Sequence, residues 1–341
     1  MELSHKGGKK RVISVFVLAM LNVSIMASLR NLPLVADLGY SSLFFFAVTG
    51  LCFLIPCALV SAELATGWPE SGGIYIWVRE ALGDRWGFVA IWMQWVHSVT
   101  WYPAILSFVA TTITFIVAPS LGESKAYIIL VILASFWGMT LLNYLGIRTS
   151  SLFSTIGVIS GTILPGLFIL SLGISWFSTG QPLQISFQTS DLIPDLSDIT
   201  HLVFLVGLFL AFSGLEVSAG YAGEVKDPQR NYPKAIIIGA VITFFLFLLG
   251  SLSIAWVIPQ SEISLVSGVM EAIRIMLAEY GMSWLVPVAA LLLIVGAVAE
   301  VNSWIIGPVK ALHATSLHGN LPPVLQVVNK RGMPTRLLFT Q

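Results

Sequence analysis

Three ionisable side chains interrupt the long apolar segments of this sequence: Arg30, Glu216 and Glu300. An ionised group at the centre of a bilayer costs about 2.5–3.5 kcal/mol even on lenient insertion scales, so lipid-facing helices avoid it. Such a residue is retained where it binds a solute, carries a proton or joins a buried ion pair. The three positions therefore predict a polar site inside a membrane.

Arg30 belongs to the first interruption, where serines and asparagines surround it and Pro33 removes a backbone N–H donor. Unwinding of residues 24–29 would expose backbone N–H groups and the positive start of the next half-helix, which favour a carboxylate. The alternatives are that Arg30 extends to the membrane interface or pairs with a buried glutamate. The residues predicted to bind substrate here are Ser24, Ile25, Met26, Ala27, Ser28 and Arg30.

Glu216 belongs to the second interruption, in which Gly214, Gly220 and Gly223 cluster within one apolar segment. Each glycine weakens a helix interior by about 1 kcal/mol relative to alanine, so the cluster predicts a break. Backbone carbonyls at this break would meet the amino group of a substrate. The residues predicted to bind substrate here are Ala211, Phe212, Ser213, Gly214 and Glu216.

The third ionisable residue, Glu300, shares the stretch 297–304 with Trp304, and both complete the predicted site. With one arginine for two glutamates, at least one glutamate lacks a basic partner in the membrane, and it can carry a proton. The alternative is a static ion pair with Arg30. Among the aromatic residues of 86–118, Trp95 and Trp101 are weaker candidates, whereas His97 fits a hydrogen-bonded core residue better than a proton relay.

The composition indicates a membrane protein, because 56% of the residues are hydrophobic, 10% are charged and the mean hydropathy is +0.89. Two shorter segments, 70–83 and 264–280, are predicted to be amphipathic helices at the membrane surface. Runs of about 20 apolar residues predict membrane-spanning helices. Eight such spans are predicted: 12–36, 41–65, 86–118, 126–146, 151–177, 200–225, 234–258 and 284–314.

The distribution of basic residues predicts the orientation, since cytoplasmic loops carry an excess of lysine and arginine. With a cytoplasmic N-terminus, 14 of the 17 basic residues, including Lys6, Lys9, Lys10 and Arg11, fall on the inner side. The predicted outer loop 178–199 instead carries aspartates, namely Asp191, Asp195 and Asp198. The pattern of residues 332–341 is typical of the segment that leads into a further span, which would be the ninth. We expect the rest of that span to be missing from the chain.

Three loop motifs resemble signatures of the amino acid–polyamine–organocation (APC) superfamily. They are Ala62-Glu-Leu-Ala-Thr-Gly-Trp-Pro-Glu-Ser-Gly-Gly-Ile-Tyr-Ile-Trp-Val-Arg-Glu-Ala-Leu-Gly83, Ala222-Gly-Glu-Val-Lys-Asp-Pro-Gln-Arg-Asn-Tyr-Pro-Lys-Ala-Ile236, and Gly319-Asn-Leu-Pro-Pro followed by Asn329-Lys-Arg-Gly-Met-Pro334. Within the superfamily, the bacterial glutamate/GABA antiporters look closest. Their sixth-span and eighth-span motifs resemble Ser213-Gly-Leu-Glu-Val-Ser-Ala219 and Ala299-Glu-Val-Asn-Ser-Trp-Ile-Ile-Gly-Pro308.

This resemblance implies an all-α membrane protein with the LeuT-type inverted-repeat fold and substrate held between the first and sixth spans. The chain would form a single transporter domain over 1–341, with a first repeat at 12–177 and an incomplete second repeat at 200–341. One departure concerns the substrate: the glutamate/GABA antiporters carry tyrosine and glutamate in place of Arg30 and Asn31, which leaves another amino acid open.

The expected function is amino acid transport by alternating access, most simply as an exchanger, in a bacterial inner membrane. A proton-coupled symporter, an inactive remnant and a membrane sensor are the alternatives. An enzyme is not expected, because the spans hold no nucleophile–base pair. The expected partners are an amino acid, the lipid bilayer and, for a coupled mechanism, protons; no nucleic acid, metal or cofactor is expected.

Overall fold

The computed structural model describes residues 12–70, 72–194 and 199–341, and over these residues the fold is helical, with two isolated β-bridges. The basic residues 6–11 and the acidic residues Asp195 and Asp198, used above to predict orientation, lie outside the described residues. In chain order the α-helices are α1 Val15–Met26, α2 Leu32–Ala36, α3 Ser42–Thr49, α4 Ile55–Gly67, α5 Ile74–Leu82, α6 Asp84–Thr114, α7 Lys125–Tyr144, α8 Ile147–Val158, α9 Leu164–Ser178, α10 Ile199–Ala211, α11 Pro228–Ala255, α12 Gly268–Glu279, α13 Val286–Leu317 and α14 Thr335–Phe339.

Within the described part of the chain, seven helical segments are long and apolar enough to cross a membrane, and they match seven of the eight predicted spans. These segments are Val15–Ala36, Gly39–Gly67, Lys125–Tyr144, Ile147–Ser178, His201–Glu224, Pro228–Ala255 and Ser283–Leu317. The remaining predicted span, 86–118, forms α6, whose 31 residues are not apolar enough to join this set. Four tryptophans and polar residues such as Gln94 and His97 lower its hydropathy, although its length of about 46 Å exceeds the hydrocarbon core.

The bundle has two faces, which we name from the direction of α1. The amino-terminal face carries Val12, α5 and the turn between α7 and α8, and Asn329 holds that turn by donating to the Tyr144 carbonyl at 2.8 Å. The opposite face carries α12 and the loop after α9, where the Gln184 backbone N–H donates to the Trp256 carbonyl at 3.0 Å. Successive spans therefore run in alternating directions between the two faces.

Helices form at both segments predicted to be amphipathic. The first is α5, whose Arg79 donates to Asp84 at 2.7 Å and contacts His318 at the end of α13 at 3.0 Å. The second is α12, on the opposite face. Because α5 is tied to both α6 and α13, it closes the bundle on the amino-terminal face.

The centre of the bundle allows very close helix contact at one pair of glycines. A Cβ atom on Gly161 would lie 2.1 Å from the Gly296 backbone nitrogen, and one on Gly296 would lie 2.2 Å from the Gly161 carbonyl oxygen. Small residues at crossing points let membrane helices approach closely and gain van der Waals contact. This contact holds α13 against the π-helical turn Ile159–Ile163 that joins α8 to α9.

Candidate substrate-binding site

The first span is broken at Ala27 and Ser28. Helix α1 continues to Met26, the Ser28 backbone is extended, and a 3₁₀ turn at Leu29–Asn31 leads into α2. The break is therefore shorter than the predicted unwinding of residues 24–29, because the Ala27 backbone N–H still donates to the Val23 carbonyl at 2.7 Å. Pro33 lies within the first turn of α2, where a backbone N–H would have no partner inside the helix. The missing N–H of proline therefore costs no helical hydrogen bond there.

The sixth span is broken at Ser213 and Gly214. Helix α10 ends at Ala211, Gly214 adopts φ +113°, and the chain continues as the 3₁₀ helix Leu215–Glu224. Only glycine readily adopts this backbone conformation. Gly214 also allows the two breaks to touch, since a Cβ atom there would lie 2.7 Å from the Ile25 side chain.

A cavity of about 200 Å³ lies beside the two breaks, on the side of the opposite face. Eight of the residues predicted to bind substrate line it: Ile25, Met26, Ser28, Arg30, Ala211, Ser213, Glu300 and Trp304. The sequence thus identifies residues from three separate segments that the tertiary structure brings to one cavity.

The cavity carries one basic side chain, Arg30, and one acidic side chain, Glu300. Arg30 and Glu300 attract each other electrostatically but make no direct ion pair, so the static pair considered above is not formed. Glu300 is 5% exposed, and Arg30 is half-buried. A small molecule with a negative and a positive group can therefore find a partner for each inside the cavity.

Trp304 forms the floor of the cavity. Its indole Nε1–H donates to the Ile25 carbonyl at 2.9 Å, which ties α13 to the last turn of α1. The indole ring also contacts the rings of Trp101 and His97 on α6, with centroids 5.5 and 5.7 Å away. These contacts separate the cavity from the half of the bundle that leads to the amino-terminal face.

Five of the residues predicted to bind substrate do not line the cavity: Ser24, Ala27, Phe212, Gly214 and Glu216. The Ser24 hydroxyl lies 3.0 Å from the Ser303 hydroxyl and donates to the Ala299 carbonyl at 3.3 Å, so it joins α1 to α13. Phe212 packs in the core, with its ring 5.6 Å from that of Phe46.

Glu216 lies behind the second break rather than in the cavity. Its carboxylate accepts from the Gly214 backbone N–H at 3.2 Å and from the Gln94 amide at 3.4 Å. The chain turns at Gly214, and beyond this turn the Glu216 side chain contacts Gln94 of α6 and does not line the cavity. Glu216 therefore has neutral hydrogen-bond partners and no direct contact with Arg30.

Five lining residues were absent from the predicted set, namely Asn31, Leu34, His97, Gly207 and Leu210, and a sixth, Trp101, was predicted only as a weaker candidate. A helical spacing could have found some of them, because Gly207, Leu210 and Ala211 follow the i, i+3, i+4 pattern of one helix face. His97 and Trp101 are likewise four residues apart on α6. His97, which was expected to be a hydrogen-bonded core residue, is half-buried and its ring borders the cavity.

The amino-terminal face is closed below the cavity floor. The Tyr221 hydroxyl donates to the Ser303 carbonyl at 2.6 Å, and further toward this face Glu224 and Lys310 form a buried ion pair. The Val12 and Ile13 backbone N–H groups donate to the Glu224 carbonyl at 2.8 and 2.9 Å. These contacts join the start of α1, the 3₁₀ helix and α13.

The family model for amino acid permeases matches residues 13–341. The chain belongs to the amino acid permease family. An uncharacterized transporter from Legionella pneumophila is 44% identical to this permease over 332 residues, which cover 97% of the chain and 71% of the relative. A glutamate/gamma-aminobutyrate antiporter from Lactococcus lactis is 31% identical over 337 residues, which cover 97% of the chain and 67% of the relative.

Family membership confirms the predicted resemblance to the APC superfamily and the all-helical membrane fold. The permease is a multi-pass membrane protein whose family and relatives are transporters. The cavity beside the two broken helices is the candidate place where this permease holds its substrate.

Proposed function

We propose that this permease exchanges amino acids across the membrane by alternating access at the cavity between its two broken helices. The observation that carries the proposal is the placement of Arg30 and Glu300 in one cavity without a direct ion pair. A free amino acid carries a carboxylate and an ammonium group, which match these two charges. The volume of about 200 Å³ is below the range of about 300–1,000 Å³ typical of drug-sized ligands and suits a smaller molecule.

In the proposed complex, the substrate carboxylate contacts Arg30 and the Ser28 region of the first break. The ammonium group contacts Glu300 and the carbonyls near Ala211 at the second break. Arginine binds carboxylates through a planar fork of N–H donors, which adds geometric selectivity to the charge interaction. The side chain of the substrate then faces the aromatic wall formed by Trp101.

The contacts on the amino-terminal face support an assignment of the conformation. If the basic residues place this face in the cytoplasm of a bacterium, the cavity leads outward and the Glu224–Lys310 pair closes the inward path. The two breaks fall in the first span of each proposed repeat, 12–177 and 200–341, as expected for a transporter built from inverted repeats. Alternating access then requires the inner contacts to open while the outer path closes.

Glutamate and gamma-aminobutyrate are the first substrates to test, because the Lactococcus lactis relative is named for their exchange. Both molecules carry one carboxylate and one ammonium group that can meet Arg30 and Glu300. They differ by one further carboxylate on glutamate.

A proton-coupled symporter is the second candidate function, and Glu216 is the observation that favours it. This carboxylate is held by the neutral Gln94 amide and the Gly214 backbone N–H, so it is placed to gain and lose a proton. In an exchanger the same group would adjust the charge of the site between the two half-reactions.

Counterflow in proteoliposomes tests exchange. Vesicles containing the 341-residue chain are loaded with one unlabelled amino acid at a time, and uptake of external labelled amino acid is followed at two pH values. Exchange predicts uptake only when the vesicles contain a substrate. Uptake into empty vesicles that depends on an inward proton gradient would instead establish symport, and no uptake under either condition would contradict both functions.

A further inference from the structure

A second polar cavity, of about 460 Å³, opens on the amino-terminal face and shares no residue with the substrate cavity. It lies where the turn between α7 and α8 meets the segment 331–333. Its lining includes Leu145, Arg148, Glu224, Lys310 and Arg331. The transport cycle proposed above uses only the Glu224–Lys310 pair from this set.

The cavity has an excess of positive charge. Lys310 and Glu224 form an ion pair in which each side chain is 8% exposed, so their charges offset each other. Arg148 and Arg331 remain, and both are exposed. The lining therefore presents two guanidinium groups that the cavity itself does not neutralise.

The side chains of Arg331 and Arg148 differ in how firmly the surrounding structure holds them. Arg331 is held in place, because its guanidinium donates to the Leu145 carbonyl at 2.7 Å and its backbone N–H donates to the Asn329 side chain at 2.9 Å. The Arg148 side chain makes no hydrogen bond or ion pair with any residue that the structure describes. The Arg331 guanidinium is thus fixed on the cavity wall, whereas the Arg148 side chain can reorient to bind an anion.

An apolar surface continues from this cavity along the outside of the bundle. Leu145, which lines the cavity, is 43% exposed, and Leu152 and Ile156 on the next two turns of α8 are 58% and 57% exposed. Since α8 begins a membrane-spanning segment, these side chains lie on the outer surface of the described bundle at the depth of the bilayer. A charged cavity at the end of a span, beside an exposed apolar strip, has the two features that recognise a lipid with an anionic headgroup.

We propose that this cavity binds a phosphate group, and that the phosphate belongs to the headgroup of an anionic phospholipid whose acyl chains lie along α8. Guanidinium groups bind phosphate oxygens through paired hydrogen bonds. Basic pockets between membrane helices bind anionic headgroups by the same interaction. Inorganic phosphate offers the same chemistry without acyl chains, and the apolar strip on α8 is what favours the lipid.

Native mass spectrometry of the purified full chain tests the proposal with phosphatidylglycerol as the anionic probe and phosphatidylcholine as the zwitterionic one. The variant Arg148→Gln/Arg331→Gln removes both guanidinium groups, and Lys226→Gln/Arg230→Gln removes the same charge from exposed positions on this face that do not line the cavity. We expect phosphatidylglycerol to bind about tenfold or more weakly to the first variant and unchanged to the second. Phosphatidylcholine binding should be equal in all three proteins.

Because Arg331 also holds the α7–α8 turn, Arg148→Gln alone provides the variant that keeps every described hydrogen bond and should still weaken phosphatidylglycerol binding. Inorganic phosphate, added in neutral detergent without lipid, forms the second arm. Stabilisation of the wild type by phosphate, lost in Arg148→Gln and without any preference for phosphatidylglycerol, would assign the site to a soluble anion and overturn the lipid. Equal phosphatidylglycerol binding by the wild type and both cavity variants, or equal loss in Lys226→Gln/Arg230→Gln, would overturn the site.

Discussion

Arg30 and Glu300 reach one cavity from two segments that are 270 positions apart in the chain, and they attract each other without direct contact. Glu300 has the neutral Ser28 side chain beside it but no charged group in direct contact, so a ligand that contacts both Glu300 and Arg30 would supply each with a charged partner. This separation distinguishes a substrate site from a structural ion pair. It also makes the contribution of each side chain measurable on its own.

The variant Arg30→Gln should bind substrate more weakly, because it removes the charged partner of the carboxylate. A hydrogen bond to a charged group contributes about 1.5–3 kcal/mol, which corresponds to a roughly 10- to 150-fold higher Kd. Equilibrium binding of labelled substrate to the purified protein measures the change. Lys125→Gln serves as the control and should leave Kd unchanged, because Lys125 is a basic residue at the start of α7, away from the cavity. Equal Kd values for Arg30→Gln and the wild type would contradict the assignment of Arg30 to the carboxylate.

The variant Glu300→Gln should lose selectivity for the ammonium group of the substrate. Wild-type protein should bind an amino acid more tightly than the analogue without an amino group, by about tenfold or more for one charge-assisted contact. In Glu300→Gln this ratio should fall toward one. Competition binding with the two compounds measures the ratio, and a ratio that stays at the wild-type value would place the ammonium group elsewhere.

The variant Glu216→Gln should change the pH dependence of transport more than it changes substrate affinity. Its side chain lies outside the cavity and contacts Gln94, and the amide that replaces it cannot ionise. Uptake rates across a pH series, together with Kd at one pH, separate the two effects. Gln94→Ala removes the neighbouring amide but keeps a titrating carboxyl group, so it should retain a pH-dependent rate. An unchanged pH profile in Glu216→Gln would exclude the proton-carrying role.

The ion pair between Lys310 and Glu224 should stabilise the conformation in which the amino-terminal face is closed. Removing one partner of a buried pair leaves an uncompensated charge and costs about 3–5 kcal/mol, whereas replacing both with apolar residues is often nearly neutral. Thermal unfolding should therefore show a lower Tm for Lys310→Met than for Lys310→Met/Glu224→Met. If the two proteins unfold at the same temperature, the pair does not stabilise this conformation.

The crossing of Gly161 and Gly296 should tolerate no added methyl group. A Cβ atom on Gly161 would lie 2.1 Å from the Gly296 backbone, and backbone on both sides leaves no flexible atom to move aside. Gly161→Ala should therefore lower Tm and reduce transport. Gly138→Ala, in the interior of α7 with no atom within 4 Å of the added Cβ, should leave Tm unchanged or raise it. Similar Tm values for both variants would show that the helices separate easily here.

Much of the architecture could be predicted from the sequence, because hydropathy and helix-breaking residues act locally. Apolar runs located the spans, and Pro33 and Gly214 marked the two breaks that the structure contains. The length of the first break could not be predicted, since α1 continues to Met26 through the backbone hydrogen bond from Ala27 to Val23. Local propensity does not reveal whether one more turn is stabilised by its neighbours.

The sequence by itself determined that this protein lies in a membrane and where its spans run, and it drew attention to Arg30, Glu216 and Glu300 as charged residues within those spans. Only the tertiary structure decided which polar groups share a cavity. Glu300 and His97 face it, whereas Glu216 turns toward Gln94. The physical reason is that the side of a helix facing the cavity depends on how that helix is rotated in the bundle. That rotation is set by long-range packing, such as the contacts of Trp304 with Ile25 and Trp101, which no local pattern in the chain encodes.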